Sequence, residues 1–231
     1  MDNDVLGAAL QDYYFGKRIG KLWIMNQYGP KEEMPVAMYF RQYGDMPALE
    51  QMALQHCKGT VLDIGAGAGS HALWLQQQEH AVTAIDISAR AVEIMQHRGV
   101  INAVNKNIFD LQGVQFDTLL LLMNGIGLVN TVSGLQHFLQ YAKQLLLPGG
   151  QLLFDSSDVT YIYEEESLPT EHYYGEIAYR YQYKKQQTDW FTWLYIDQKL
   201  LKQIAAAEGY DVQILAEDEY GQYLARLTLK N

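Results

Sequence analysis

The run Asp63-Ile64-Gly65-Ala66-Gly67-Ala68-Gly69-Ser70 constrains the fold of this chain more than any other segment. A β-branched, apolar run over 60–64 leads into it, and a helical pattern with Ser70 as the predicted N-cap leads out. Glycines permit a tight turn and let a ligand approach the main chain, while the start of the helix offers free N–H groups. The order therefore predicts a βα unit that binds a ligand at its turn.

A carboxylate follows where such a unit needs one. Asp86 ends the second predicted strand, where it can accept hydrogen bonds from ribose hydroxyls. This order of strand, turn, helix, strand and acid predicts a site for a nucleoside-bearing cofactor. The simpler alternative is a tight βα turn with an acid that has no role in binding. The dinucleotide fingerprint has a glycine where this chain has Ser70, and Asp63 would repel a pyrophosphate but suits an ammonium group.

The rest of the middle of the chain alternates between strands and helices. Ser88 and Gly99 bound one predicted helix, and another, from Leu135 to Leu146, stops at Pro148-Gly149-Gly150. Strands are predicted near 60–64, 81–85, 102–106, 118–123 and 151–155, and a closing antiparallel pair near 211–216 and 222–229. This alternation predicts an α/β fold with a doubly wound, mostly parallel sheet and an antiparallel closing strand.

The two ends of the chain differ from this middle in their tyrosines. Of 17 tyrosines, five lie between Tyr13 and Tyr43 and eight between Tyr161 and Tyr195. Alternation from Gly175 to Tyr183, with a turn at Gln186 to Asp189, predicts a β-hairpin. The expected organisation is one domain over 1–231, with an N-terminal helical cap (1–57), a cofactor-binding core (58–155), a tyrosine-rich hairpin insertion (156–196), and a closing helix and strands (197–231).

Charge and composition exclude several classes of partner. With 17 Lys and Arg against 27 Asp and Glu the net charge is −10, which speaks against nucleic acid or a membrane surface as the main partner. The single cysteine, Cys57, excludes a disulfide framework, and the six histidines lack metal-ligand spacing, so no metal site is predicted. An acidic N-terminus and the lack of a long apolar run predict a cytoplasmic protein.

At this point the motifs resemble a known family. Val61 to Gly69 is similar to motif I of the class I S-adenosylmethionine-dependent methyltransferases. Further landmarks follow in the family's order: Ala84 to Ser88 (second strand), Asn107 to Leu111 (loop near the adenine), Phe116 to Thr118 (fourth strand) and Leu147 to Gly150 (turn before the fifth strand). Over roughly residues 57–155, the resemblance implies the Rossmann-like, seven-stranded fold, S-adenosylmethionine as cofactor and methyl transfer as the reaction.

The resemblance also implies roles for individual residues. The methionine part of the cofactor would lie on the turn, with Asp63 facing its ammonium group directly or through water. Asp86 would bind the ribose, and Asn107, often an aspartate in the family, would accept from the adenine amine through its amide oxygen. The expected cofactor-binding residues are Asp63, Gly65, Ala66, Gly67, Gly69, Asp86, Ile87, Asn107, Ile108 and Asn124, of which Ile87 would pack on the adenine and Asn124 would also meet the acceptor.

The methyl acceptor is less constrained by the sequence. In-line displacement at an activated methyl group needs alignment more than a dedicated base. Asn124-Gly125-Ile126-Gly127 lacks the Asn/Asp-Pro-Pro-aromatic signature of enzymes that methylate nucleic-acid bases or glutamine. We therefore expect an O or N atom of a small molecule, with a protein acceptor as an alternative. A catalytically silent or regulatory protein that binds S-adenosylmethionine would carry the same motifs, and an NAD(P)-dependent oxidoreductase is a further, less favoured interpretation.

The catalytic candidates are Tyr14, His71 and Asn124, and Tyr28 is a candidate for the pocket lining. For Tyr14 and Tyr28, ordinary packing of an added helix is an equally good interpretation. For His71, a partly exposed histidine in the first turn of a helix is the preferred one. The alternating face of the hairpin would line an acceptor pocket or form the contact of a homodimer.

Overall fold

The computed structural model describes residues 4–17, 20–163 and 167–230. Its helices are α1 (Val5–Tyr14), α2 (Ala48–His56), α3 (Ser70–Gln77), α4 (Ala89–Arg98), α5 (Val132–Ala142) and α6 (Gln198–Ala207). Its strands are β1 (Leu22–Asn26), β2 (Glu32–Glu33), β3 (Val61–Ile64), β4 (Val82–Asp86), β5 (Ala103–Asn105), β6 (Phe116–Leu121), β7 (Leu146–Ser157), β8 (Glu176–Tyr183), β9 (Gln186–Gln187), β10 (Phe191–Leu194), β11 (Tyr210–Glu217) and β12 (Gln222–Leu229). Short 3₁₀ helices include Val36–Phe40, Ile108–Asp110 and Gly125–Val129. None of the helices in the described ranges is long and apolar enough to cross a membrane.

Seven strands form the central sheet in the order β11-β12-β7-β6-β3-β4-β5. The five strands from β7 to β5 pair in parallel, and β12 runs antiparallel to both of its neighbours. This confirms the α/β fold with a mostly parallel, doubly wound sheet and an antiparallel closing strand.

The strand β6 shows why the central strands carry apolar residues on both faces. Successive side chains of a strand point to opposite faces. Leu119 and Leu121 are buried in the core cluster that also holds Phe138 of α5, whereas Leu120 is buried in the cluster that holds Leu75 of α3. Because helices cover both faces of the sheet, the carboxyl ends of β3, β4 and β6 are left as the edge where a site can form.

The tyrosine-rich ends of the chain come together in a second sheet, in the order β10-β8-β1-β2, with β9 also paired to β8. The central pairing is antiparallel, with Leu22 opposite Tyr183 and Ile24 opposite Tyr181. The hairpin of β8 and β10 was expected, but β1 was not, because its partner strand lies far away in the sequence. The helix α1 packs along α4. The division of the chain into an N-terminal cap, a core, a hairpin insertion and closing elements stays a prediction.

Three predicted details are wrong. The helix predicted from Leu135 to Leu146 ends at Ala142, and Leu146 to Gly150 already belong to β7, because Leu146 pairs with Phe116 of β6. The hairpin turns at Lys184 and Lys185, and Gln186–Gln187 already pair with β8, because Lys184 itself adopts a left-handed backbone conformation. Gly69, with φ of +81°, takes the N-cap position of α3, so Ser70 is the first helical residue. The Ser70 hydroxyl instead donates a hydrogen bond to the carbonyl of Tyr39, at 2.8 Å.

Candidate functional site

The glycine turn follows directly from the carboxyl end of β3. Gly65, Gly67 and Gly69 all have positive φ angles, of 71°, 56° and 81°, which other residues adopt only with strain. The N–H of Ala66 donates to the carbonyl of Ile85 at 3.1 Å. The turn is therefore tied by its backbone to the neighbouring strand β4.

Asp86, the last residue of β4, binds this turn through its side chain. Its two carboxylate oxygens accept from the N–H of Gly67 at 2.9 Å and of Ser88 at 2.8 Å. Burial raises the pKa of Asp86, while these backbone N–H groups act to lower it. A carboxylate has about four acceptor positions, so about two are left for ligand hydroxyls. The next side chain, Ile87, is 77% exposed, which leaves an apolar surface beside them.

Asp63 lies beneath the turn and is fully buried. Its Oδ2 atom has no hydrogen-bond partner among the described residues. Burial raises the pKa of this carboxyl to about 6, against the opposing effect of the nearby His71. A buried acceptor without a donor is costly, and an ammonium group of a ligand would satisfy it.

Asn107 and Ile108 lie beyond the end of β5. Asn107 is exposed, and its amide oxygen accepts from the N–H of Phe109 at 3.0 Å, which caps the short helix Ile108–Asp110. The side chain of Ile108 is buried in the same core cluster as Ile64 and Ile85. The amide oxygen of Asn107 has a second lone pair, so capping the helix leaves it able to accept a further hydrogen bond.

Asn124 connects three elements just beyond β6. Its N–H donates to both carboxylate oxygens of Asp155 at 2.9 and 3.0 Å, and the indole N–H of Trp193 donates to its carbonyl at 3.0 Å. Its own backbone is left-handed, with φ of 52°. Burial raises the pKa of Asp155 to about 6. Trp193 lies against Gly127 so closely that any Cβ there would overlap the indole. Asp155 and Trp193 carried no motif that marked them in the sequence.

Tyr39 is the site residue that sequence analysis missed most clearly. A Cβ on Gly67 would lie 3.3 Å from the ring carbon Cδ1 of Tyr39, so the ring packs directly on the turn. Burial raises the pKa of Tyr39, and the neighbouring Tyr181 and Asp86 raise it further. Tyr39 therefore stands between the glycine turn and the second sheet, and only the high tyrosine density of its segment hinted at it.

His71 is buried, so the partly exposed histidine preferred from sequence is wrong. Its Nε2 lies 2.8 Å from one carboxylate oxygen of Glu50, and the other oxygen of Glu50 accepts from Arg41 at 2.7 Å. Burial lowers the pKa of His71, but the carboxylates of Glu50 and Asp63 outweigh it, and the net shift is upward. The Nε2 atom is thus engaged with Glu50 and is not free to act as a base.

Tyr14 does not join these residues. The helix α1 runs beside α4 with Asp4 at one end, where it accepts from the Ser88 hydroxyl at 2.7 Å, and Tyr14 at the other, beside His97. Ten helical residues span about 15 Å, so Tyr14 lies roughly that far along α4 from the Asp86 end. Its ring stacks on Phe40, with centroids 6.1 Å apart.

Tyr28 follows β1 and packs with other tyrosines beside the second sheet. The Tyr163 hydroxyl donates to the Tyr28 hydroxyl at 2.9 Å, and the rings meet edge to face with centroids 4.9 Å apart. Partly buried Tyr174, Tyr179 and Tyr195 pack against the same small cluster. This group of aromatic rings is called the tyrosine cluster below.

Comparison with known proteins gives a consistent result. A model of the methyltransferase domain matches residues 61–150. The chain is 41% identical to the structure of a SAM-dependent methyltransferase from Bacteroides fragilis in complex with S-adenosyl-L-homocysteine, over 99% of this chain and 96% of that one, with a TM-score of 0.91. An amino pentose methyltransferase from Micromonospora echinaspora, at 15% identity over 81% of this chain and 94% of that one, shares the fold, with a TM-score of 0.55.

Among curated proteins, a demethylmenaquinone methyltransferase from Tropheryma whipplei is 32% identical over 98 residues, or 40% of this chain. The match spans only 39% of that relative's length. The unpaired carboxylate oxygen of Asp63 and the open acceptor positions of Asp86 suit the ammonium and ribose groups of S-adenosylmethionine. The cofactor is S-adenosylmethionine, and the chain belongs to the S-adenosylmethionine-dependent methyltransferases of the class I fold.

Proposed function

We propose that this enzyme methylates an O or N atom of a small molecule that binds between the second sheet and the carboxyl edge of the central sheet. The observation that carries the proposal is the position of the second sheet. The second sheet meets the central sheet at two places. Tyr39, beside Tyr181 of β8, packs on Gly67, and Trp193 of β10 donates to the carbonyl of Asn124. Both contacts involve residues next to the expected position of the transferred methyl group.

The tyrosine cluster supports a small acceptor with polar groups. Tyr179 and Tyr195 lie with their hydroxyls 3.3 Å apart and are only partly buried. Tyrosine rings combine apolar area with a hydroxyl tip that donates or accepts, which suits a small molecule with hydroxyl or amine groups. The same face would also suit a second copy of the chain, so a homodimer is the alternative use of this surface.

The residues of the core would hold the cofactor, which supplies a methyl group already activated by a sulfonium. In this proposal Asp63 accepts from the ammonium, Asp86 from the ribose hydroxyls and Asn107 from the adenine amine. The turn of Gly65, Ala66, Gly67 and Gly69 supplies close backbone contact and Ile87 supplies apolar surface, whereas Ile108, whose side chain is buried, would contribute its backbone. Asn124, held by Asp155, faces both ligands. No general base is required, because alignment of donor and acceptor provides much of the acceleration.

Charge supports the exclusion of other acceptors. A net charge of −10 is unfavourable for nucleic acid and for anionic lipid surfaces. The single cysteine, which is buried and free, is compatible with the reducing cytoplasm that we propose as the location.

The proposal is tested with methyl-labelled S-adenosylmethionine and a cell extract that has been split by size into metabolites and macromolecules. We expect label in the metabolite fraction with the wild-type enzyme and none with Asp86→Ala. Label confined to the macromolecular fraction, or the same label with both proteins, would contradict a small acceptor bound at this site.

A further inference from the structure

A cavity lies between α1, α3, α4 and the segment from Arg41 to Tyr43. Its volume is about 350 Å³, which is within the range that holds small ligands. Side chains that line it include Tyr14, Arg41, Ser70, Trp74, His97 and Arg98. It is called the basic cavity below.

The charge of the basic cavity is opposite to that of the chain. Two arginines and a histidine line it, and none of the described residues that line it is acidic, although acids outnumber bases in the chain by 27 to 17. Arg41 is neutralised by Glu50, at 2.7 Å. His97 has only a loose contact, 4.0 Å, with Glu93, whose other oxygen accepts from Gln11.

Arg98 lacks such a counter-charge. Its Nη1 donates to the carbonyl of Ala68 at 2.6 Å and to the Ser70 hydroxyl at 3.1 Å, and its guanidinium lies 5.0 Å from the centre of the Phe40 ring. Among the described residues no carboxylate pairs with it. Two of its five N–H donors are therefore used, which leaves the Nε and Nη2 donors for a ligand in the fork that recognises oxyanions.

The aromatic walls of the basic cavity add a second requirement. Trp74 is partly buried and stacks on Tyr43, with ring centroids 4.5 Å apart and planes 12° from parallel. Tyr14 lines the same cavity. A ligand with an anionic group at Arg98 could bury an apolar body against these rings.

We propose that the basic cavity binds a small oxyanion, a carboxylate or phosphate on a compact apolar body, and that its occupancy is coupled to the glycine turn. The coupling follows from the bonds of Arg98. The same guanidinium that would bind the anion holds Ala68 and Ser70, and the Ser70 hydroxyl holds the carbonyl of Tyr39. An anion that draws on Arg98 changes the support of the turn, and by linkage the cofactor changes the affinity for the anion.

Inorganic phosphate and benzoate are titrated separately into the full chain at constant ionic strength. Binding of phosphate is detected by ³¹P line broadening and binding of benzoate by saturation-transfer NMR. We expect saturable binding of at least one probe, and the preferred probe distinguishes a phosphate ligand from a carboxylate. Saturating S-adenosylhomocysteine should leave this binding in place, and the bound probe should shift the affinity for S-adenosylhomocysteine by about threefold.

Two variants and one control locate the binding. The affinity for the probe should fall by about tenfold in each of two variants, Arg98→Gln and Gln77→Glu. The first removes the guanidinium, and the second adds a carboxylate to the lining without touching the turn. Gln78→Glu adds the same charge one residue further on, outside the lining, and should bind the probe as the wild type does.

Several results would overturn the proposal. One is no saturable binding of either probe, and another is equal binding in Gln77→Glu and Gln78→Glu. A third is that S-adenosylhomocysteine displaces the probe while Gln77→Glu leaves the affinity for the probe unchanged. That result would place the anion in the cofactor site. Binding that leaves the affinity for S-adenosylhomocysteine unchanged would contradict the coupling.

Discussion

The core and the second sheet hold their side chains in position by different means. In the core, backbone groups position the side chains: Asp86 accepts from two backbone N–H groups and Asn107 from one. At the second sheet, tyrosine hydroxyls bind one another, as in Tyr179 of β8 with Tyr195. The first arrangement depends on a few neighbouring residues and the second on strands far apart in the sequence. This difference explains why sequence motifs reveal the cofactor half but do not reveal the second sheet, where we propose that the acceptor binds.

The largest expected effect is the loss of cofactor affinity when Asp86 of the core is replaced. Asp86→Ala removes the proposed ribose acceptor and two hydrogen bonds, one from Gly67 of the turn and one from Ser88, and hydrogen bonds to charged groups contribute about 1.5–3 kcal/mol each. Affinity for S-adenosylhomocysteine, measured by calorimetric titration, should fall by about 100-fold. The control is Asp211→Ala, which removes an exposed carboxylate of β11. A folded Asp86→Ala protein with wild-type affinity would remove Asp86 from the site.

A second change separates cofactor binding from stability. The pKa of Asp63 is raised to about 6 in the folded protein from an ordinary value of 3.8, so its charged form costs stability above about pH 6 and nothing below about pH 4. Asp63→Asn should therefore raise the free energy of unfolding at pH 7.5, by on the order of 3 kcal/mol, and leave it unchanged at pH 4.

Asp63→Asn should also lower the affinity for S-adenosylhomocysteine, because the ammonium group of the ligand loses the carboxylate that accepts from it. In the wild type, affinity should rise as the pH increases through about 6, since the charged carboxylate is the form that binds the ammonium. A cofactor affinity that is flat from pH 5 to 7.5, or a variant less stable at pH 7.5 than the wild type, would be evidence against this role of Asp63.

A third test compares two glycines with the same backbone strain. Gly67→Ala and Gly149→Ala both place a side chain at positive φ, which costs about 1–2 kcal/mol of stability. Only at Gly67 does the new Cβ meet another residue, the ring of Tyr39. We expect both variants to unfold more easily and only Gly67→Ala to bind S-adenosylhomocysteine about tenfold more weakly. Equal cofactor binding would show that the Tyr39 contact is unimportant.

The smallest expected effect concerns the contact between the two sheets. Trp193→Phe keeps an aromatic ring but removes the N–H that donates to Asn124, a bond that contributes about 1 kcal/mol. The KM of the acceptor should rise by about fivefold, and the cofactor affinity should stay within about twofold of the wild-type value. Trp190→Phe, on the exposed part of the same hairpin, is the matched control. If the two variants behave alike, the Trp193–Asn124 bond has no part in acceptor binding.

Sequence patterns predicted the core because the physics there is local. The glycine turn, the cap at Ser88 and the strand β6 follow from residues adjacent in the chain, and the structure has all three. The strand β1 was not predictable, because its pairing with β8 joins segments about 160 residues apart. His71 was misjudged for the same reason: its partner Glu50 comes from α2, and no local pattern announces that contact.

Tyr39 and Arg98 show the other limit of sequence analysis. Each acts on the glycine turn from outside the turn motif, Tyr39 through ring packing and Arg98 through bonds to Ala68 and Ser70. A tyrosine in a tyrosine-rich segment and an arginine at the end of a helix have common structural explanations, so neither stood out before the fold was known.

The central claim is that the core binds the cofactor while the second sheet binds the acceptor, and steady-state methyl transfer with both substrates varied tests it most directly. Tyr179→Leu should raise the KM of the acceptor by about tenfold and leave that of S-adenosylmethionine within about twofold. Asp86→Asn should do the reverse. If Tyr179→Leu shifts only the KM of the cofactor, or both variants shift the same constant, the account is contradicted.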